Sequence, residues 1–286
     1  MVPGAHSNSS VLRIAAWSGP RNVSTALMRS FGSRADTEVC DEPLYAHYLK
    51  ATGLPHPLAA EIQERHECDL ERVIERLTGP LEGGARIFYQ KHMAHHLLDD
   101  MPRNWLSSLQ NIFLIREPRA MLASLHQIIP DSRLADTGLP QQVELFEQEA
   151  RRTGTTPAVI DSADLLRDPR GILGSLCDML GIAFDECMLS WEKGGRATDG
   201  YWAEAWYGNL LNTTGFAPYR ASTASLPVEQ RELESQCQEL YARLAPHRLD
   251  RKSVGEGKSV DLGGRRVIKK KNKLHTTRPP PPPPPP

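Results

Sequence analysis

The stretch VLRIAAWSGPRNVSTALMRSF, residues 11–31, decides the expected fold. Its apolar first half predicts a buried strand, Gly19-Pro20 predicts a loop, and the residues from Ser24 predict a helix. A helix that begins directly after such a loop suits a phosphate or sulfate group, because its first N–H groups are unpaired and its dipole is positive there. The alternative is an ordinary strand-to-helix turn that Ser24 caps.

The chain continues this alternation of short apolar runs and longer helical segments to about residue 190. Strands that alternate with helices predict a parallel sheet covered by helices on both faces. The expected fold is therefore a three-layer α/β domain with a central parallel sheet of about five strands. The predicted strands are 11–17, 37–40, 86–89, 111–115 and 158–160, and the predicted helices are 24–31, 61–77, 118–128, 141–152, 169–180 and 228–245.

Composition separates a folded body from two terminal segments. The sequence has 286 residues, of which 40% are hydrophobic and 24% are charged, as in ordinary globular proteins. Residues 1–10 are small and polar and are expected to be disordered, and residues 11–250 form the domain. The basic and polyproline tail 251–286 offers almost nothing to bury, so we expect it to be disordered. Its composition is typical of a linker foreign to the domain; a basic tether or a proline ligand is the alternative.

Charge and cysteine usage exclude several classes of protein. The basic tail hides an acidic body of about −9, which argues against binding nucleic acid through bulk charge. The five cysteines are scattered and form no C-x-x-C pair, so neither a disulfide framework nor a zinc site is expected. No cluster of His, Cys and Asp has the spacing of metal ligands. No targeting segment or membrane span is apparent, and we expect a soluble, cytoplasmic protein.

A second anion-binding candidate lies in IFLIREPRAMLASL, residues 112–125. Arg116 follows a predicted buried strand, where open α/β sheets bind ligands, and Pro118 opens the next helix. Ser124 lies eight residues after Arg116, a little over two helical turns, and could face the same groove. The alternative is an ion pair between Arg116 and Glu117 or another acid.

Together these stretches resemble the sulfotransferases that use 3′-phosphoadenosine 5′-phosphosulfate, a family with a P-loop-like fold. Residues 20–25 resemble the family's loop for the 5′-phosphosulfate, with departures at Asn22 and Val23, and 164–185 resembles its stretch after the fifth strand. Arg116 and Ser124 match the pair that holds the 3′-phosphate. The resemblance implies a sulfuryl donor, a small-molecule acceptor with a hydroxyl or amine, and no metal. The donor-binding candidates are Gly19, Pro20, Arg21, Asn22, Val23, Ser24, Thr25, Arg116 and Ser124.

Two other functions stay open. The loop lacks the lysine that precedes the hydroxyl residue of a nucleotide triphosphatase loop, because Val23 stands before Ser24. An ATP-dependent phosphotransferase is thereby weakened, although AVID, residues 158–161, could imitate a magnesium-binding strand end. A non-catalytic nucleotide-binding relative is the third reading, since Asn22 and Val23 depart from the family's loop.

The resemblance also implies a catalytic base and a group that stabilises the leaving oxygen. By this resemblance, Arg21 corresponds to the residue that stabilises the leaving oxygen. For the base we favour His92, expected just after the third strand, because histidine titrates near neutral pH. Glu42 is the alternative and would need its pKa raised by burial. On the other reading Glu42 merely caps a helix opening at Pro43, and His95 and His96 lie on the surface.

The segment 191–216 is rich in Trp, Tyr and Gly. Long aromatic loops are often functional, and this one could close over the substrate. Its Lys193 and Arg196 are candidates for binding the 3′-phosphate. In the family that the chain resembles, a late segment of basic residues and glycines has this role. An aromatic cluster that covers the edge of the sheet is the alternative.

Overall fold

The computed structural model describes residues 11–81, 83–208, 210–222 and 225–250. The predictions for residues 1–10 and for the tail 251–286 lie outside these ranges. No helix in the described ranges combines the length and the apolar character that crossing a bilayer requires.

The centre of the fold is a five-stranded sheet whose strand pairs are all parallel. The spatial order is β2-β3-β1-β4-β5, so the strand of the opening stretch lies in the middle. All five predicted strands are therefore confirmed. Their bounds are Leu12–Ser18 (β1), Thr37–Asp41 (β2), Ile87–Met93 (β3), Gln110–Ile115 (β4) and Val159–Asp161 (β5).

Helices cover both faces of the sheet, as the alternating pattern predicts. The described α-helices are Ser24–Gly32 (α1), Tyr45–Thr52 (α2), Ala59–Arg65 (α3), Leu70–Thr78 (α4), Pro118–His126 (α5), Leu139–Thr153 (α6), Ser162–Arg167 (α7), Pro169–Leu180 (α8), Ala203–Trp206 (α9) and Arg231–Leu244 (α10). Short 3₁₀ turns lie between them, among them Ala94–His96 and Leu134–Thr137.

Side-chain alternation along β1 divides the core into two layers. Ile14 and Ala16 pack with α1 and α8 on one face, and Ala15 and Trp17 pack with α4, α6 and α10 on the other. All four side chains are buried, because a parallel sheet between two helix layers has no solvent-facing side. The three-layer fold is confirmed.

Two helix predictions need correction. The single helix expected over 61–77 is two helices, α3 and α4, because Asp69 accepts a hydrogen bond from Arg72 N and caps a new start. The sequence analysis also missed α2, whose Tyr45 and Tyr48 are buried. Both differences lie after β2, where the chain builds one wall of the cavity described below.

Gly19, the first residue after β1, lies against the 3₁₀ turn 134–137. A Cβ atom at Gly19 would stand 2.2 Å from the carbonyl oxygen of Thr137, well inside van der Waals contact. The glycine therefore permits a close backbone approach, and this approach fixes the loop after β1 against the 134–137 turn.

Gly19→Ala should lower the free energy of unfolding by about 1–3 kcal/mol, because a backbone carbonyl cannot swing away from the added methyl group. The measurement is chemical denaturation, with Gly83→Ala as the control. Gly83 has open space around its Cβ position, so its alanine variant should match the wild type. Equal stability of the two variants would contradict the close packing.

Candidate active site

A cavity of about 580 Å³ opens at the carboxyl ends of the central strands. Parallel α/β sheets bind ligands at this edge. Residues that follow β1, β2 and β4 line the cavity, and so does the end of β3. The predicted site residues among its lining are Pro20, Arg21, Asn22, Val23, Ser24, Thr25, Glu42 and Arg116.

The loop after β1 contains two residues in a left-handed backbone conformation. Arg21 and Val23 both have positive φ angles, 61° and 53°, which non-glycine residues adopt only where the surroundings impose them. Val23 is the N-cap of α1 and provides no side-chain cap. The alternative of a turn capped by Ser24 is therefore wrong, and the first N–H groups of α1 are left for another acceptor.

Asn22 anchors this loop to the sheet. Its side chain is buried, and Nδ2 donates to the carbonyl oxygen of Leu114 at 3.0 Å. The carbonyl oxygen of Asn22 accepts from Ser162 Oγ, which also donates to Ile115 O. Asn22 thus ties the loop to the end of β4 and the start of α7.

Two arginines meet in the cavity without a carboxylate partner. Arg116 Nη1 donates to the carbonyl oxygen of Arg21 at 2.6 Å, and Arg21 Nε donates to Ser124 Oγ at 2.9 Å. Burial lowers the pKa of both guanidiniums, and the charge of Arg21 lowers the pKa of Arg116 further. Among the described residues neither forms an ion pair, whereas the nearby Arg119 pairs with Glu234.

The alternative ion pair between Arg116 and Glu117 is wrong. The Glu117 carboxylate instead accepts from Arg119 N and Ala120 N and caps α5. Pro118 is at the first turn of that helix, as predicted. The Arg116 guanidinium donates to a backbone carbonyl oxygen and not to the Glu117 carboxylate.

The structure keeps several other predicted donor residues away from the cavity lining. Gly19 packs on Thr137 instead, and Ser124 reaches the site only through its bond with Arg21. Lys193 is exposed, and Arg196 lines a second, separate cavity behind α1. The expectation that Lys193 and Arg196 join Arg116 is not met, because the Arg196 amide is fixed by Asp199.

His92 lies in the core instead of the cavity. The sequence analysis ended the third strand at residue 89, but β3 runs to Met93, so His92 is inside the strand. Its ring stacks on Trp17 with centroids 4.3 Å apart, and burial lowers its pKa to about 3. The expectation that His92 faces the reacting groups is therefore corrected.

Lys91, the preceding residue, points to the opposite face and lines the cavity. Its ammonium group donates to Asp41 Oδ1 at 2.9 Å, to Tyr207 OH at 2.8 Å and to Glu42 Oε1. Burial alone would lower the pKa of Lys91, but the two carboxylates raise it well above its usual value. Lys91 has three N–H donors, and all three are used in this network.

Glu42 is a cavity residue and not a helix cap. The next helix begins at Tyr45, and its N-cap, Leu44, has no side-chain cap bond. Glu42 has a φ angle of 40°, a strained conformation that places its carboxylate beside Lys91. Burial raises the pKa of Glu42 against the opposing charge of Lys91. Its other oxygen, Oε2, has no hydrogen-bond partner among the described residues.

His95 and His96 are not surface residues. Both line the cavity from the 3₁₀ turn after β3, and His96 is 2% exposed. The segment 191–216 contributes both to the cavity lining and to the core, and its closing over a substrate stays a prediction. Trp206 and Tyr207 line the cavity, while Trp202 is buried in a core cluster beside α2.

Sequence reasoning missed Lys91 and Tyr207. Lys91 sits in a fully buried strand, and β2, the strand beside it, ends in Asp41 followed by Glu42. A lysine in a buried strand beside two acids was the available signal, since a buried charge needs a partner.

Comparison with known proteins agrees with this geometry. The model of a family described as "Sulfotransferase domain" matches residues 12–243. The match covers most of the chain, so the chain belongs to this family.

Two curated relatives come from Arabidopsis thaliana. They are branched-chain-amino-acid aminotransferase-like protein 2, 39% identical over 84% of this chain, and the corresponding protein 1, 38% identical over 82%. The chain spans only 43% and 42% of their respective lengths.

Solved structures with a similar layout include two sulfotransferases. The sulfotransferase domain of the Synechococcus PCC 7002 olefin synthase is 18% identical, with a TM-score of 0.48 over 82% of this chain and 96% of that one. A sulfotransferase from Alicyclobacillus acidocaldarius is 14% identical, with a TM-score of 0.48 over 84% of this chain and 97% of that one. The assignment to the family rests on the family match.

Lys91→Met should destabilise the fold by about 3–5 kcal/mol near neutral pH, because Asp41 and Glu42 would stay buried without their cation. Chemical denaturation measures this, with the exposed Lys50→Met as the control. The difference in free energy of unfolding between wild type and variant should be smaller at about pH 5 than at about pH 8. A carboxyl group whose pKa is raised in the folded state destabilises the fold as the pH rises, because it then has to ionise while buried. A deficit that does not change with pH would contradict the buried charge pair.

Proposed function

We propose that this sulfotransferase moves a sulfuryl group from 3′-phosphoadenosine 5′-phosphosulfate to a hydroxyl or amine of a small acceptor molecule. The observation that carries the proposal is the meeting of Arg21 and Arg116 in the cavity. Two guanidiniums without carboxylate partners, beside an uncapped helix start, fit a ligand with two separate anionic groups.

The two anionic groups of the donor would bind at neighbouring places. The N–H groups at the start of α1, with the hydroxyls of Ser24 and Thr25, suit the 5′-phosphosulfate. Arg116 and Ser124 suit the 3′-phosphate, since a guanidinium offers a planar fork of donors that matches phosphate. Arg21 Nε donates to Ser124 Oγ and the Arg21 carbonyl oxygen accepts from Arg116 Nη1, so Arg21 lies beside the residues proposed for the 3′-phosphate.

Glu42 is the base in this proposal. Its carboxylate takes the proton of the acceptor hydroxyl, the hydroxyl oxygen bonds to sulfur, and the bond from sulfur to the bridging phosphate oxygen breaks. Arg21 and the N–H groups of the loop stabilise the charge that grows on the leaving oxygen. The products are a sulfate ester and adenosine 3′,5′-bisphosphate.

Lys91 acts on the reaction through Glu42. Because Asp41, Tyr207 and Glu42 use all three of its hydrogens, Lys91 has none left for the donor. It fixes the position of Oε1 and leaves Oε2 for the acceptor. The burial that raises the pKa of Glu42 makes this carboxylate a stronger base than a solvated one.

Arg116→Ala should weaken binding of adenosine 3′,5′-bisphosphate by roughly tenfold to hundredfold, because a charge-assisted contact to phosphate is lost. Titration calorimetry in the presence of a chelator measures the affinity. Arg119→Ala is the matched control, since Arg119 starts the same helix but pairs with Glu234 on the surface. Equal affinities for the two variants would remove Arg116 from the donor site.

Glu42→Gln should reduce sulfate transfer by about 10²–10⁴-fold while leaving the affinity for adenosine 3′,5′-bisphosphate unchanged. Glutamine keeps the bond from Lys91 but cannot take a proton. The assay follows release of the bisphosphate with a panel of phenols and alcohols. His92→Gln is the comparison: it should lower stability but keep turnover within a few-fold. Normal turnover of Glu42→Gln together with an inactive His92→Gln would restore the histidine as the base.

A further inference from the structure

The wall of the cavity beyond Glu42 has a composition that donor binding does not explain. It consists of two tyrosines and three histidines from α2, from the segment after it and from the turn after β3. Asp136 lines the same cavity from the 134–137 turn. Gly138, which follows this turn, packs against Ala94 and His95. We call the five aromatic residues the His/Tyr wall: Tyr45, Tyr48, His56, His95 and His96.

The His/Tyr wall carries no positive charge at neutral pH. Burial lowers the pKa of His56, lowers that of His95 to about 3, and lowers that of His96 well below its usual value. The Asp136 carboxylate forms no ion pair with any described residue. Arg21 and Arg116, at the loop after β1, line the cavity and form no ion pair with a described residue. The cavity is therefore positive at the loop and negative at Asp136.

The side chains of the wall are imidazoles and phenols, which both donate and accept hydrogen bonds. His96 is 2% exposed, and the Nδ1 atoms of His95 and His96 are buried with no partner among the described residues. A neutral imidazole has one acceptor nitrogen and one N–H donor, and the Tyr45 ring is stacked on the His96 ring with centroids 4.6 Å apart. An ammonium group is a donor only, so the Asp136 carboxylate is the group on this side of the cavity that suits it best.

The same wall connects Asp136 to the proposed base. Tyr45 and Glu42 both line the cavity, and burial followed by the charge of Glu42 raises the pKa of Tyr45. Tyr45 OH bonds His56 Nδ1 at 2.9 Å, and the Asp136 charge acts on His56 and Tyr48. A molecule that reaches from Glu42 to Asp136 would lie along these rings. It must be small, because the cavity of about 580 Å³ also has to hold the donor.

We propose that the acceptor is a small amino alcohol or aminophenol, whose hydroxyl faces Glu42 and whose ammonium group binds Asp136 and the His/Tyr wall. This inference rests on the proposed function. In the reaction the hydroxyl gives its proton to Glu42 and becomes the sulfate ester, while the ammonium group keeps its protons. Acceptors with a carboxylate in place of the ammonium would be repelled by Asp136.

The test compares three phenols of similar size: tyramine, 4-ethylphenol and 4-hydroxyphenylacetate. Calorimetry measures their affinity for the full chain saturated with adenosine 3′,5′-bisphosphate, so the result does not depend on turnover. Tyramine should bind roughly tenfold to hundredfold more tightly than 4-ethylphenol, the range of one charge-assisted contact. The carboxylate compound should bind most weakly.

Asp136→Asn should abolish the preference for tyramine and leave the affinity for 4-ethylphenol unchanged. Asparagine removes the charge but retains an oxygen to accept from Arg133 N, as Asp136 does at 2.7 Å. Asp131→Asn is the matched control, because Asp131 is exposed and lies outside the cavity lining. A tyramine preference that is missing, or that survives Asp136→Asn, would overturn the proposal.

The same titrations separate this inference from the proposed function. A chain that binds the bisphosphate but shows no tyramine preference contradicts the amino-alcohol acceptor alone. A chain that does not bind the bisphosphate contradicts the sulfotransferase donor site. In that case the tyramine and 4-ethylphenol titrations on the free chain still decide whether Asp136 and the His/Tyr wall bind an ammonium group.

Discussion

The rest of the site depends on one electrostatic constraint, the approach of two guanidiniums without a carboxylate between them. Arg116 donates to the backbone of Arg21, and each is partly removed from water. Like charges held this close oppose one another, and the positive end of α1 adds to the same field. The chain holds this arrangement through its backbone, so an anionic ligand would relieve the repulsion when it binds.

Tertiary contacts, and not local propensity, hold the loop in this shape. Asn22 bonds the loop to the end of β4, and Gly19 allows the loop to pack closely against Thr137. Val23 stands at the N-cap position of α1 in a left-handed conformation. Asn22 and Val23 are the positions where the loop departs from the motif it resembles. Asn22 anchors the loop and Val23 packs against the core, so both departures have a structural role.

The sequence predicted the fold well because strands and helices here follow clear apolar patterns, and the spacing of Arg116 and Ser124 placed both near the loop. It placed the His92 side chain wrongly. The polar run Gln90-Lys91-His92 resembles the end of a strand, although all three side chains are buried and β3 continues to Met93. Side-chain alternation then directs Lys91 to the cavity and His92 to the core. Lys193 and Arg196 were misplaced because the path of a long loop depends on distant contacts.

The central claim is that the paired arginines and the uncapped loop recognise a nucleotide with phosphates at both its 3′ and 5′ positions. The most direct measurement is calorimetry of the wild-type chain with adenosine 3′,5′-bisphosphate and with adenosine 5′-monophosphate, both with a chelator, and with Mg-ATP. The account predicts metal-independent binding of the bisphosphate, at least tenfold tighter than that of the monophosphate, as expected for one added phosphate contact. Equal affinities for the bisphosphate and the monophosphate, or a preference for Mg-ATP, would contradict it.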